Sequence, residues 1–327
     1  MKPGFPIRSI ARFGISILLS VAAGLVSAQT FQNKPITIIV AYPAGGGTDL
    51  IARLFAEQLT PRLGRTVVVE NRPGATGIIG SGYVSKAPPD GHTLLLTPGS
   101  LPYAQLVLKT PPAAGYNALD GFTPIIHVGT SPQFLVASAA SGLKTLNDAV
   151  RESKTKSLSY GTAGTGGIHH IIGEVVNNSI NIKLNHVPYK GVAPAVADAL
   201  GGHIPLVYLS IETVLPHIAS GKLVPLGVLE RNRTPIAPNV PTFWEQGYQV
   251  EMNTWYGLFG PKGMHPELVK TINQNLNEIL KQPDIDARIR TLGATVVGGT
   301  PEDMNRVYRE TYVKFEKIIK DLNIQGE

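Results

Sequence analysis

The chain of 327 residues contains no cysteine at all. Disulfides, thiol catalysis and cysteine-based metal sites are thereby excluded, as is anchoring through a lipid-modified cysteine. Stability must come from a hydrophobic core, which this length can bury as one large or two medium domains. No basic block with interleaved aromatics occurs, so nucleic acid is not an expected partner. There is no Gly-x-Ser-x-Gly elbow and no His-Glu-x-x-His. Carboxylates are scattered rather than paired, which leaves a hydrolytic acid/base dyad without a candidate.

Beyond the first residues no apolar run approaches the roughly 20 residues that span a bilayer as a helix. The start itself is distinctive. Lys2, Arg8 and Arg12 precede an apolar run from Gly14 to Val26, and Val26-Ser27-Ala28 supplies small residues at the spacing a signal peptidase reads. This is the pattern of a cleavable secretory signal; an uncleaved anchor is the alternative. Cleavage after Ala28 leaves a chain beginning at Gln29, exported to a bacterial periplasm. Removing the three basic residues from the formal +6 leaves a charge near +3 on the remainder.

What is present is alternation. Extended runs are expected at Ile36–Val40, Thr66–Val69, Thr93–Leu96, Leu158–Tyr160, Leu184–Val187, Pro205–Leu209, Leu223–Leu229 and Trp255–Phe259. Helical patterns fall at Thr48–Leu63, Gly77–Lys86, Gly167–Asn178, Val192–Gly201 and Thr213–Ala219. Three more helices open on proline, at Pro266, Pro283 and Pro301, where a first-turn residue has no helical partner for its N–H. The rhythm predicts an α/β protein with mainly parallel sheets covered by helices. So many strands exceed what one small lobe holds, and two lobes are expected.

Three glycine-rich turns stand where strands pass into helices. The first is Tyr42-Pro43-Ala44-Gly45-Gly46-Gly47-Thr48-Asp49. Glycines let backbone approach a ligand, and a helix start offers free N–H groups and partial positive charge, which suits an anion. A side chain at Gly46 is expected to block that approach and strain the turn. A P-loop needs Lys before Ser or Thr after the last glycine, and a dinucleotide fingerprint needs spaced glycines, so neither is met. The plain alternative is a tight turn with Thr48 or Asp49 as helix cap. The second turn is Asn71-Arg72-Pro73-Gly74-Ala75-Thr76-Gly77. The third is Gly161-Thr162-Ala163-Gly164-Thr165-Gly166-Gly167, ahead of Ile168-His169-His170. All three lie beyond the carboxyl ends of strands, where open α/β sheets bind ligands. His169, His170 and Glu174 do not make a convincing metal set, which needs at least three convergent ligands; no metal and no cofactor are expected.

The first two turns, with Glu70, Pro89-Asp90-Gly91-His92-Thr93-Leu94-Leu95, Val187-Pro188-Tyr189-Lys190-Gly191, Ser220-Gly221-Lys222-Leu223, Pro241-Thr242-Phe243 and Trp255-Tyr256-Gly257-Leu258-Phe259-Gly260-Pro261, resemble the Bug family. Those proteins are extracytoplasmic receptors of tripartite tricarboxylate transporters, and the resemblance runs from about Pro35 to the last helix. It implies a two-lobed periplasmic binding protein fold of type II, each lobe a mixed, mainly parallel sheet flanked by helices. Two crossing strands would join the lobes, near Ile125–Val136 and Met252–Phe259. Lobe one would combine 29–128 with 253–327, and lobe two would hold 129–252.

The resemblance further implies a non-enzymatic, monomeric receptor that hands a small carboxylate to the transporter's membrane subunits. Loop backbone and small hydroxyls would hold the ligand carboxylate, partly through water. The expected ligand-binding residues are Tyr42, Gly45, Gly46, Gly47, Thr48, Asp49, Ala75, Thr76 and Gly77 in lobe one. In lobe two they are Gln133, Thr162, Ala163, Thr165, His169, Tyr189 and Ser210. Most are neutral donors, which favours a mono- or dicarboxylate over a tricarboxylate, with an aromatic ring able to stack on Tyr42 or Tyr189. Ser210-Ile211-Glu212 and Gly164-Thr165-Gly166-Gly167 depart from the family pattern and leave substrate identity open. A periplasmic enzyme and a sensor feeding a signalling receptor are the alternatives.

Overall fold

In the computed structural model, residues 34–107, 115–210 and 214–325 are described. The expected signal segment with its cleavage point lies outside the described residues, as do Ile211, Glu212 and the expected helix start at Thr213. Lys34–Glu327 forms one unit.

Strand β1 (Ile36–Val40) is β-branched almost throughout and buried at every position but Thr37. Burial on both faces is what a central parallel strand requires. It runs parallel to β2 (Val67–Asn71) and β3 (Thr93–Pro98), with Ile38 opposite Val69 and Leu94. β9 (Asn253–Pro261) is antiparallel to β3, and β4 (Phe122–Ser138) is antiparallel to β9. The short β10 (Thr295–Val296) adds to β4. A second group contains β5 (Leu158–Thr162), parallel to β6 (Leu184–Pro188) and β7 (Leu206–Ser210). β7 and β8 (Leu223–Val228) flank the far end of β4, both antiparallel to it.

β4 is therefore shared. Its residues from Phe122 to Pro132 pair with β9, and from Gln133 onward they pair with β7 and β8. The changeover is abrupt: Pro132 faces Asn253, the first residue of β9, and Gln133 faces Ser210, the last residue of β7. The resemblance implies a crossing here, and the register locates it at one peptide.

Helices α1 (Gly47–Leu63) and α2 (Ile78–Ser85) follow β1 and β2. The short α3 (Ala104–Val107) follows β3, and α4 (Leu146–Ser153) is closed by a capping box of Thr145 and Asp148. α5 (Ile168–Ser179) and α6 (Val192–Leu200) follow β5 and β6, and α7 (Leu215–Ala219) precedes β8. α8 (Pro266–Leu280), α9 (Pro283–Thr291) and α10 (Pro301–Asp321) each begin on the expected proline. No helix among the described residues is long and apolar enough to cross a membrane.

One helix packs against both strand groups. Met304 and Tyr308 of α10 join Ile39, Leu95, Trp255 and Phe259 in one apolar cluster. Phe315 and Ile319, farther along the same helix, pack with Leu135, Tyr160 and Ile171. Tyr103 belongs to that second cluster too, stacked on Phe315 with ring centroids 4.1 Å apart. Each fully buried side chain of this size contributes about 1.5–3 kcal/mol, so α10 is a third element tying the two strand groups together.

Candidate functional site

In the turn between β1 and α1, Gly45 has φ 84°, the left-handed region that favours glycine. Gly46 does not: it caps α1 with φ −79° and ψ 165°. A Cβ there would come no nearer than 3.7 Å to another atom, the Pro43 carbonyl oxygen. The expected strain at Gly46 is corrected accordingly; the conformational demand sits one residue earlier. Gly47 is a close approach, since a Cβ would stand 3.1 Å from the Tyr256 hydroxyl. The first N–H groups of α1 have no intrahelical acceptor, as at every helix start.

Asp49 holds this turn together. Its side chain is 2% exposed. One carboxylate oxygen accepts from the Gly45 N–H and from Arg53 Nε, both at 2.9 Å. The other accepts from Asn71 Nδ2 at 2.9 Å, and that amide also donates to the Tyr42 carbonyl at 3.1 Å. Burial pushes the carboxyl up, but hydrogen bonds from Arg53, Gly45 and Asn71 outweigh it and hold the group below its ordinary value. The expectation of Asp49 as a ligand contact is corrected: its oxygens are spent inside the loop. Thr48 is likewise buried, at the first turn of the helix.

The second turn is more unusual. Gly74, Ala75, Thr76 and Gly77 all have positive φ, at 133°, 47°, 52° and 90°. Two of the four carry a Cβ, and such backbone persists only where its surroundings over-determine it. Tyr42 supplies part of that. Its hydroxyl donates to the Thr76 carbonyl at 3.1 Å and pairs with the Ser100 hydroxyl at 2.5 Å. Its ring lies under Gly77, where a Cβ would meet the phenol oxygen at 3.0 Å. Burial pushes this phenol up to about 12, against a smaller lowering by Ser100. Ala75 is exposed and Thr76 half-buried.

The third turn follows β5. Thr162 lies on the same strand face as Leu158 and Tyr160 and is 1% exposed. Its hydroxyl is 2.7 Å from His186 Nε2, donates to the Gly164 carbonyl at 3.1 Å, and accepts from the Gly164 N–H at 3.3 Å. Thr162 was expected to face a ligand; strand alternation turns it inward instead, which corrects that expectation. The Gly166 N–H donates to His170 Nδ1 at 3.0 Å, and His170 stacks on His186 with centroids 4.0 Å apart. Burial pushes both rings down, His186 to about 4 with the neighbouring His170 adding to it. Ala163 is exposed and Thr165 half-buried, at the outer side of the turn.

The β4 changeover carries a cluster of its own. Gln133 is fully buried. Its Nε2 donates toward the Ser131 and Pro132 carbonyls, at 3.0 and 3.2 Å, and toward the Ser210 hydroxyl at 3.1 Å. Its Oε1 is 2.8 Å from His169 Nε2. Gln133, His169 and Ser210, read separately from sequence, thus form one hydrogen-bonded group. Tyr189 stands apart from it: its N–H donates to the Thr162 carbonyl at 3.0 Å and its hydroxyl to Asp198 at 2.7 Å. Burial and then Asp198 push that phenol up to about 12.

Sequence reading missed Ser100, Ser131, Arg53 and His186. Arg53 was reachable, four residues after Asp49 on a helix. His186 lies opposite Tyr160 across β5 and β6, a register that local pattern does not encode. A shallow depression beside the changeover, lined by Gly99, Ile168, Asn253, Thr254 and Lys314, also went unseen.

The profile described as the tripartite tricarboxylate transporter family receptor matches residues 51–324. The chain belongs to that family. It is 33% identical to the protein BugT of Bordetella pertussis over 317 residues, 96% of this chain and 97% of that one. A Rhodopseudomonas palustris protein solved with adipate, Rpa4515, superposes with TM-score 0.82 at 29% identity, covering 90% of this chain and 99% of the other. MatC of the same organism, solved with bound malate, gives 0.78 at 27% identity, covering 88% and 99%. The receptor is accordingly a solute-binding protein and not an enzyme, with the two-lobed periplasmic binding protein fold.

Proposed function

We propose that the receptor captures a small mono- or dicarboxylate, with an aromatic ring tolerated, in the cleft between its lobes. It then delivers the ligand to the membrane subunits of a tripartite tricarboxylate transporter. The observation that carries this reading is the left-handed run from Gly74 to Gly77 beside the glycine-rich start of α1. The Gly45 and Gly77 N–H groups are taken by Asp49 and the Gly74 carbonyl. The other main-chain N–H groups of the two turns are the ones offered to the ligand, while the ionic side chains nearby, Asp49 with Arg53 and Glu70 with Arg72, are paired. Such a surface holds one carboxylate without a buried cation. On the other side stand Thr165, His169, Gln133 and Ser210, all neutral, which suits a short acid and disfavours three desolvated negative charges. Adipate and malate in the solved relatives support the same ligand class.

In this reading lobe one comprises residues 29–128 and 253–327, and lobe two comprises 129–252. The protein acts as a monomer in the periplasm after cleavage behind Ala28. The test is a thermal-shift and calorimetric screen of the processed protein against mono-, di- and tricarboxylates. Ligand at a hundred times its dissociation constant adds about 2.7 kcal/mol of stability. Citrate is expected to bind most weakly; tightest binding to citrate, or no shift with any acid, overturns the reading.

A further inference from the structure

The orientation of Gln133 fixes the chemistry of His169. Gln133 Nε2 faces two backbone carbonyls, which only accept hydrogen bonds, so the amide nitrogen must stand there and Oε1 must face the imidazole. Oε1 is an acceptor, so His169 Nε2 carries the proton. In the neutral ring Nδ1 is then a bare lone pair. Burial pushes this imidazole down to about 4, so the ring is neutral near pH 7. No hydrogen-bond partner for Nδ1 occurs among the described residues, and His169 is half-buried in the first turn of α5, just past the carboxyl end of β5.

We infer that His169, locked in its Nε2–H form by Gln133, is a specificity-determining acceptor that selects carboxylates bearing a hydroxyl at the end distal to the bound carboxylate. This rests on the carboxylate-receptor reading and narrows it. A hydroxyl donates to Nδ1 and completes the chain from ligand through His169 to Gln133 and the β4 backbone. A second bare carboxylate sets two acceptors against each other. Accommodating it demands a tautomer switch that breaks the Gln133 bond, or protonation of a ring that burial keeps neutral. Gln133 is a positioning residue here, since it acts through the imidazole.

The test uses calorimetry at pH 7.5 with three series of four- to six-carbon acids: unsubstituted monocarboxylates, their terminal hydroxy acids, and dicarboxylates of the same length. The hydroxy acid is expected to bind about five- to tenfold more tightly than the unsubstituted acid at the best length, and the dicarboxylate more weakly than either. In His169→Phe the ratio of hydroxy-acid to unsubstituted-acid affinity should fall to about one, whatever the change in absolute affinity. Nitrogen-15 spectra of the wild-type imidazole supply a readout independent of any ligand and of that variant's folding: an Nε2–H tautomer is expected. An Nδ1–H tautomer, a dicarboxylate preferred over the hydroxy acid, or an undiminished hydroxyl advantage in His169→Phe overturns the inference. If unsubstituted acids bind and hydroxy acids gain nothing, the inference fails alone. If no acid of any series binds, the receptor reading fails with it.

Discussion

The turn after β1 and the turn after β5 share a glycine-rich sequence and a place at the end of a strand, yet they are held by opposite chemistry. The first is braced by a buried carboxylate that gathers Gly45, Arg53 and Asn71. The second is braced by neutral groups: Thr162 against His186, and His170 accepting from Gly166. A charged brace tolerates any pH at which aspartate is ionised. A neutral histidine brace holds only while the rings stay unprotonated. Glycine content alone therefore says where a loop approaches a ligand and nothing about what keeps it in place.

The sharpest way to break the comparison is to remove each brace. Asp49→Ala leaves the Gly45 N–H and the Asn71 amide without their shared acceptor and Arg53 without its partner. Hydrogen bonds to a charged group contribute about 1.5–3 kcal/mol each and are not additive, so a loss of about 3 kcal/mol is expected. Urea unfolding at pH 7.5 measures it. Carboxylate affinity should fall at least tenfold in the protein that remains folded. A loss under 1 kcal/mol would mean that the turn stands on its own backbone.

Next in size is the response to acid. The unfolded chain binds protons at its histidines near 6.5, whereas folded His186 resists until about 4. Its contribution to stability is complete above about 6.5 and is lost progressively as pH falls to about 4. Dropping to pH 5 should remove about 1–2 kcal/mol, the 1.36 kcal/mol per pKa unit being reduced by the ring's partial exposure to solvent. Asp49 behaves otherwise: its folded pKa lies below 3.8, so its contribution persists until pH falls through that lower range. Hydrogen exchange separates the two loops. Between pH 7.5 and 5 the protection factor of the Gly166 amide should drop while that of Gly45 holds. Equal losses at both amides would erase the distinction.

Much of this was legible in the sequence, and the limits are physical. Strands such as Ile36–Val40 and the proline-opened helices follow from periodicity and backbone chemistry, which are local. All three loops were located for the same reason. The direction of Thr162 was legible as well, since Leu158, Tyr160 and Thr162 share one face of a strand; a glycine-rich setting drew attention away from that alternation. The grouping of Gln133 with His169 and Ser210 was not legible, because it depends on where β4 changes partners. Nor was the double membership of α10, whose apolar stripe announces burial without naming the cores it enters.

Two threonines in the same loop sharpen the comparison further. Thr162→Val keeps the volume and removes the hydroxyl, stranding His186 Nε2 and the Gly164 N–H. A cost of about 1–2 kcal/mol in unfolding free energy is expected. Thr165→Val lacks such internal partners and should leave stability within about 0.5 kcal/mol. Its effect belongs to ligand binding, a loss of about tenfold by calorimetry. If Thr165→Val unfolds the protein as readily as Thr162→Val, the outward side of this turn has been misassigned.

The smallest effect concerns the left-handed run in lobe one, where the structure holds Ala75 and Thr76 at φ 47° and 52°. An L-residue with a Cβ pays about 1–2 kcal/mol for that region, and glycine does not. Thr76→Gly relieves the strain but enlarges the conformational freedom of the unfolded chain, which costs roughly 0.5–1 kcal/mol. The two nearly cancel, so a net gain of about 0.5 kcal/mol is expected. Binding should move the other way. Tyr42 grips this loop through the Thr76 carbonyl, which glycine retains, but the relaxed backbone samples other conformations and the N–H groups lose their fixed aim. Calorimetry should then show a weaker carboxylate complex with a larger entropic penalty, in a protein no less stable than wild type. A variant both less stable and unchanged in affinity would show that Thr76 stabilises the loop through its side chain and that the strained backbone contributes nothing to anion capture.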